Sequence, residues 1–294
     1  MQIIPESELI INNDGSIFHL HLHPEDIADD ILIVGDPGRV EIVASLFDKT
    51  EIRKSNREFA TATGYYKGKR LSVLSTGIGP DNIDIVMTEL DALANIDFRT
   101  RTPKSQHKQL RIIRMGTSGS LDPELALGSF AVSEKSIGID GLLHFYAHSS
   151  KIRDIELEKA FIRHCEWISD APRPYAVSAD PELVSRLCKN ASVTKGITIT
   201  AGGFYGPQGR EVRLPVAMPD INSKLTSFRY KNRKIANYEM ESAPIAGLSA
   251  LLGHKAATIC MIVAGRNTGE ALTGYHKKMK EMILHTLNSI TSLP

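Results

Sequence analysis

The chain has 294 residues, 42% hydrophobic and 23% charged, with 35 basic against 34 acidic side chains and a formal net charge of +1. That length fits one large or two ordinary domains, and the apolar share can bury a core without disulfides or structural metals. The near-neutral balance excludes a disordered polyelectrolyte and argues against a nucleic-acid binder, and no apolar run approaches the roughly 18–20 residues of a membrane span.

In chain order, the run ILIV (31–34) reads as a buried strand that ends in the turn GDPG (35–38). A helix is expected next, with Val40, Val43, Ala44 and Phe47 on one face. Residues 71–74 make a second strand running into STGIGP (75–80), and Ile83, Val86, Leu90, Leu93 and Ala94 recur at helical spacing over 83–96. RIIR (111–114) is a third strand, which again leads into a glycine-rich segment, GTSG (116–119). Further strands are expected at 129–133, 196–200 and 257–263. Helices are expected at 154–168, at 181–190 with Asp180 as N-cap and Pro181 in the first position, at 243–252 before Gly253, and at 275–290. Strands alternating with helices, each strand ending in a Gly-rich loop, give an α/β fold with a mixed or mainly parallel sheet, whose ligands gather beyond the strand ends. With no repeat and no low-complexity linker, a single domain over 1–294 is expected. The basic segment 99–111 reads as a solvated surface loop, since it lacks the interleaved aromatics of a nucleic-acid site.

Five segments could carry chemistry. Gly35-Asp36-Pro37-Gly38-Arg39 allows a close backbone approach to an anion, and Arg39 adds a fork suited to phosphate oxygens. It lacks the spacing of either a dinucleotide fingerprint or a P-loop, so a plain strand–turn–helix is the simpler alternative. Arg114 at the end of an apolar strand needs a partner, which an ion pair or a ligand would supply. Glu239 and Glu241, if on a strand, share a face about 6.5–7 Å apart. They could act as a glycosidase acid–base pair, cap the helix at 243–252, or hold the hydroxyls of a sugar. The loop Phe204-Tyr205-Gly206-Pro207-Gln208-Gly209-Arg210 is either a surface turn or a place to stack a heterocycle whose edge Gln208 and Arg210 read. His19, His21 and His23 alternate as if on one strand face, but no nearby Cys or carboxylate completes a zinc spacing, so no metal is expected.

Together and in this order, IFHLHL (17–22), GDPGRV (35–40), NREF (56–59), STGIG (75–79), RMGTSG (114–119), FYGPQGR (204–210) and NYEMES (237–242) resemble the nucleoside phosphorylase family, and within it the uridine-cleaving branch. The resemblance spans residues 17 to about 270. It implies a three-layer fold with a mixed central sheet, and phosphorolysis of a nucleoside to ribose 1-phosphate and free base. By the same resemblance, Gly35, Arg39, Arg114 and Thr117 bind phosphate, with Arg57 arriving from a neighbouring subunit. His19, also from the neighbour, meets the ribose 5′-hydroxyl. Met240 and Glu241, with Glu239 beside them, hold the ribose, while Phe204, Gln208, Arg210 and Arg266 bind the base.

A shared active site implies a homo-oligomer, either a dimer or a hexamer built as a trimer of dimers. Inorganic phosphate is a co-substrate, with no metal or organic cofactor. Purine-cleaving relatives place an aspartate shortly after a strand like ICMIV, whereas here Cys260-Met261-Ile262-Val263 leads to Ala264-Gly265-Arg266. Uridine is therefore expected over purine nucleosides. A purine phosphorylase or nucleosidase of the same fold and a non-catalytic nucleoside- or anion-binding protein are the alternatives. The family pattern is departed from in the longer stretch before Arg111, at Asn82 where some relatives have a serine near a monovalent cation, and in the spacing before Arg266. The N-terminal MQIIPESELI, without a basic region, is not expected to be a secretory leader, and three widely spaced cysteines suit a reducing cytoplasm.

Overall fold

The computed structural model describes residues 3–189 and 193–293. The strands are β1 (Asp30–Val34), β2 (Lys49–Asn56), β3 (Phe59–Tyr66), β4 (Lys69–Ser75), β5 (Ile96–Asp97), β6 (Thr102–Pro103), β7 (Arg111–Ser120), β8 (Phe130–Gly138), β9 (Tyr175–Ser178), β10 (Val193–Thr200), β11 (Arg229–Tyr230), β12 (Arg233–Glu239) and β13 (Lys255–Gly265). The helices are α1 (Pro37–Ala44), α2 (Pro80–Asn95), α3 (Ile155–Cys165), α4 (Pro181–Leu187), α5 (Ile221–Ser227), α6 (Ser242–Leu252) and α7 (His276–Thr291).

Eleven of the strands form one mixed sheet in the order β11-β12-β10-β8-β13-β7-β1-β4-β3-β2, with β9 alongside β8. β1 runs parallel to both β4 and β7, and β7 runs parallel to β13. The end of β12 turns back to pair antiparallel with β7, at Asn237 opposite Ser120 and Tyr238 opposite Gly119. β7, β12, β10, β8 and β13 thereby close into a small ring, and the rest of the sheet extends from it.

The run at 31–34 is apolar throughout because both faces of β1 are covered. Ile31 and Ile33 face a core built with α2 and α6, and Leu32 and Val34 face one built with α1, α4 and α7. A third core packs α3 and α5 against β10 and β12. Two expected helix signals operate as caps: Asp180 accepts from the Leu183 N–H at 3.0 Å, and Gly253 ends α6 at a φ of +79°; Asp36, expected only in a turn, also caps α1 by accepting from the Gly38 N–H at 2.9 Å. The helix expected over 181–190 stops at Leu187, and residue 190 lies outside the described residues.

Several expectations need correction. Residues 19–23 form turns and irregular chain, with His21 at a φ of +52°, so the three histidines do not share a strand face. β7 does not end at Arg114 but continues to Ser120. Its loop-like composition reflects crowding: the Arg114 guanidinium lies over Gly116, where a Cβ would collide with it. β2 and β3, which had no sequence signal, form a hairpin at the sheet edge; the residues of β2 alternate only between exposed and half-buried. The basic segment 99–111 does more than meet solvent. Arg101 donates to the carbonyls of Ile4 (2.8 Å), Pro5 (3.1 Å) and Leu9, and Lys104 Nζ donates to the Ala94 carbonyl at 2.8 Å, capping the end of α2. No helix among the described residues is long and apolar enough to cross a membrane.

Candidate active site

A cavity of about 580 Å³ opens where the turns after β1 and β4, the middle of β7, the ends of β12 and β13, and the loop after β10 converge. On one side lie Gly35, Asp36, Pro37 and Arg39. The Arg39 guanidinium donates to the Met115 carbonyl at 3.2 Å, which holds it against β7. Burial, together with the like charge of Arg114, lowers its pKa. Two cations drawn together beside a helix start make a cradle for an anion. Thr117 lies three residues beyond Arg114 and lines the same wall.

Arg114 is 5% exposed. It pairs with Glu241, lies 3.2 Å from Glu239 Oε2, and donates to Cys260 Sγ at 3.4 Å. Burial opposes its charge, but the two carboxylates outweigh burial and raise its pKa. The strand expectation for the glutamates fails, because β12 ends at Glu239 and Glu241 is the N-cap of α6. The two share Arg114 rather than a strand face, which removes the basis for an acid–base pair.

Glu239 is taken up by backbone. It accepts from the N–H groups of Glu241 at 2.8 Å and Ser242 at 2.9 Å, and from the Thr200 hydroxyl at 2.5 Å. It thus makes the helix-capping contacts that the sequence left open. Glu241 accepts from the Gly79 N–H at 2.8 Å, and Gly79 has a φ of +103° that favours glycine. Burial and the charge of Glu239 push the Glu241 pKa up, against the pull of Arg114. Met240 lines the cavity between the two glutamates.

The opposite wall is the loop from Phe204 to Arg210. The Arg210 guanidinium carbon stands 3.8 Å from the centre of the Phe204 ring. Arg210 also donates to the Phe204 carbonyl at 2.6 Å and to Gln208 Oε1 at 2.5 Å. Gln208, 3% exposed, donates to the Gly203 carbonyl at 3.2 Å. Burial, with Arg266 close by, lowers the Arg210 pKa to about 10. Tyr238, Ile78, Val263 and Ala264 also line it; sequence reasoning did not single them out as binding residues. Tyr238 was within reach, since it belongs to the NYEMES motif. Ile78, 71% exposed, was likewise within reach through the STGIG motif.

Three sequence-selected residues lie outside this cavity. Arg266 sits behind its wall, donating to the Gln208 carbonyl at 2.8 Å. Arg57 is exposed at the turn between β2 and β3, with a φ of +53°. His19 is half-buried, its Nδ1 2.6 Å from Glu89, a carboxylate that also accepts from the Leu20 N–H at 2.9 Å. The remaining histidines point elsewhere: His23 contacts Lys54 and the Asp14 carbonyl, and His21 is exposed. Among the described residues, Asp91, His107 and His254 bring ligand atoms within 4.8 Å of one another. The Leu110 N–H donates to His254 Nδ1 at 3.2 Å, so Nε2 carries the ring hydrogen and faces Asp91 at 3.2 Å. That is a histidine–carboxylate contact, not a preformed ligand set.

Two guanidinium groups, an aromatic–amide wall and a buried carboxylate line one cleft of an α/β protein, with the polarity to suit an anion beside a flat polar ligand. The particular family comes from comparison with known proteins: a family model described as "Phosphorylase superfamily" matches residues 29–288, and the chain belongs to that family. It is 28% identical to a uridine phosphorylase of Thermococcus kodakarensis over 265 residues, covering 87% of this chain and 80% of that protein. It is 29% identical to the Escherichia coli uridine phosphorylase over 271 residues, covering 87% and 88%. Among solved structures, a Trypanosoma brucei nucleoside phosphorylase described as showing uridine phosphorylase activity superposes with a TM-score of 0.85 at 30% identity. That match covers 96% of this chain and 99% of the other.

Proposed function

We propose that this protein is a uridine phosphorylase, catalysing the reversible reaction of uridine and phosphate to uracil and ribose 1-phosphate. The observation that carries the reading is a single cavity lined by Arg39 and Arg114 at one end and by Phe204, Gln208 and Arg210 at the other, with Glu241 between. Val263 and Ala264, at the end of β13, supply no carboxylate to protonate a purine. The relatives named uridine phosphorylases support the same substrate.

In this mechanism the guanidinium groups of Arg39 and Arg114 hold phosphate below C1′ of the ribose, and Glu241 accepts hydrogen bonds from the sugar hydroxyls. A phosphate oxygen forms the new bond to C1′ as the bond to N1 of the base breaks, through a sugar with oxocarbenium character. The electron pair leaves with the uracil. Arg210 and the Gln208 amide face the base edge and stabilise the developing anion, so no strong acid is required there. Catalysis is then mainly the placing of two substrates and the field around them. The reading requires no metal or organic cofactor, with phosphate as co-substrate.

The exposure of Arg57 and the position of His19 outside the protein's own cavity support their delivery to a neighbour's site, in a homodimer or a hexamer of such dimers. Three free cysteines suit a reducing compartment, and we place the protein in the cytoplasm.

The test is chromatography of uridine incubations with and without phosphate, with inosine and thymidine in parallel. Phosphate-dependent release of uracil is expected. Hypoxanthine release would overturn the base assignment, and no cleavage of any substrate would favour a binding protein.

A further inference from the structure

Besides the direct pair of Arg114 with Glu241, the phosphate side of the cavity is joined to the sugar side through Glu239, and what fixes Glu239 is the last residue of β10. Thr200 is fully buried, and the parallel pairing of β10 with β12 sets it opposite Glu239. Its oxygen accepts from the Ala243 N–H at 2.9 Å, and its hydrogen goes to Glu239 Oε1 at 2.5 Å. A hydroxyl has one proton to give, so this one is committed to the carboxylate.

Glu239 is filled in turn. An ionised carboxylate offers about four acceptor sites. Here they meet the Thr200 hydroxyl, the N–H groups of Glu241 and Ser242, and the Arg114 guanidinium. Nothing remains for a sugar hydroxyl. The same carboxylate holds Arg114, which the mechanism assigns to phosphate, and the backbone amide of Glu241, which it assigns to ribose.

We infer that Thr200, acting through Glu239, is a positioning residue that sets the distance between the phosphate-binding arginine and the ribose-binding glutamate. Glu239 itself is part of that brace, not a ligand of the sugar. The inference rests on the phosphorylase reading. Losing the Thr200 hydroxyl leaves Glu239 Oε1 with the Ser242 N–H alone and strands the Ala243 amide in a buried site. Arg114 and the start of α6 then move relative to each other. Because the reaction depends on the approach of phosphate to C1′, a misplacement of about 1 Å lowers turnover far more than it lowers binding.

The experiment compares Thr200→Val, which keeps shape and loses the hydroxyl, with Thr200→Ser, which keeps the hydroxyl. Phosphorolysis of uridine by the wild type comes first; if it is absent, the functional reading fails and this inference with it. Given wild-type activity, Thr200→Val is expected to lower kcat about 10- to 100-fold and to raise KM for phosphate, with KM for uridine changed less than about threefold. Thr200→Ser should recover kcat to within about threefold of wild type. Glu239→Gln, which replaces an acceptor oxygen by a donor facing two amides and a guanidinium, should show the same split with a deeper loss. Wild-type kinetics in Thr200→Val would overturn the inference. So would an equal rise in both KM values with kcat unchanged, and so would failure of Thr200→Ser to recover kcat while its thermal stability matches wild type.

Discussion

Arg114→Met tests the site most directly, because the variant keeps an apolar stem in place of the buried guanidinium. The change removes the cation that pairs with Glu241 and lies 3.2 Å from Glu239, two carboxylates only 3% and 4% exposed. Removing one partner of a buried ion pair costs about 3–5 kcal/mol. For a chain of this size, at about 2–4 °C per kcal/mol, melting should fall by roughly 6–20 °C. Phosphate also loses a charge-assisted donor, which adds about 1.5–3 kcal/mol to the barrier, or roughly 10- to 150-fold in kcat/KM for phosphate.

Some of the folding cost is relieved by protonating Glu241, whose pKa is already raised, so the acid limb of the activity profile should move to higher pH. Arg114→Lys restores the charge without the planar fork and should fall between wild type and Arg114→Met. Initial rates at varied phosphate with saturating uridine, then at varied uridine, read the effect. Unchanged phosphate kinetics in Arg114→Met would refute the assignment. An equal loss for both substrates would show collapse of the site instead of loss of a phosphate contact.

Arg210→Ala should lower kcat/KM for uridine by about 10- to 100-fold, the worth of one charged hydrogen bond, while leaving KM for phosphate within about threefold; a matched loss for both substrates would sink the base assignment. The rate with uridine should rise with pH along an acid limb lying above the ordinary glutamate range, because Glu241 accepts from the sugar only when ionised and its pKa is raised. A pH–rate profile of the free enzyme would show this, and an unaltered limb in Glu241→Gln would contradict it. At low phosphate, Arg57→Ala and Arg114→Met should each keep no more than about a tenth of wild-type activity alone. Co-expressed as a random mixture of dimers, they should recover about one quarter of wild-type activity, since half the dimers then carry one intact site of two. A mixture no more active than its components would rule out a site shared across subunits.

Local signals in the sequence were sufficient for the frame. The apolar run at 31–34, the caps Asp180 and Gly253 and the spacing in α2 all lie within short windows, where backbone hydrogen bonding and burial periodicity decide the outcome. The site motifs were legible for a similar reason: glycine turns, an arginine in an apolar strand and an aromatic–amide loop are unusual residue choices unless something binds.

Contacts between distant segments were not legible. Glu89 lies 70 residues from His19 and Glu241 lies 127 residues from Arg114, and no window of sequence relates them. The extent of β7 and the edge strand β2 were hidden because glycine-rich or charged strands have no apolar alternation to betray them. The sequence alone determined the candidate motifs and the layers that carry them. Closing the ring of β7, β12, β10, β8 and β13 decided which carboxylate accepts from the start of α6, which pairs with Arg114 in the cavity wall, and which arginines meet in the cleft. Those roles depend on who is buried beside whom, and burial of a charge is settled only when the chain has closed around it.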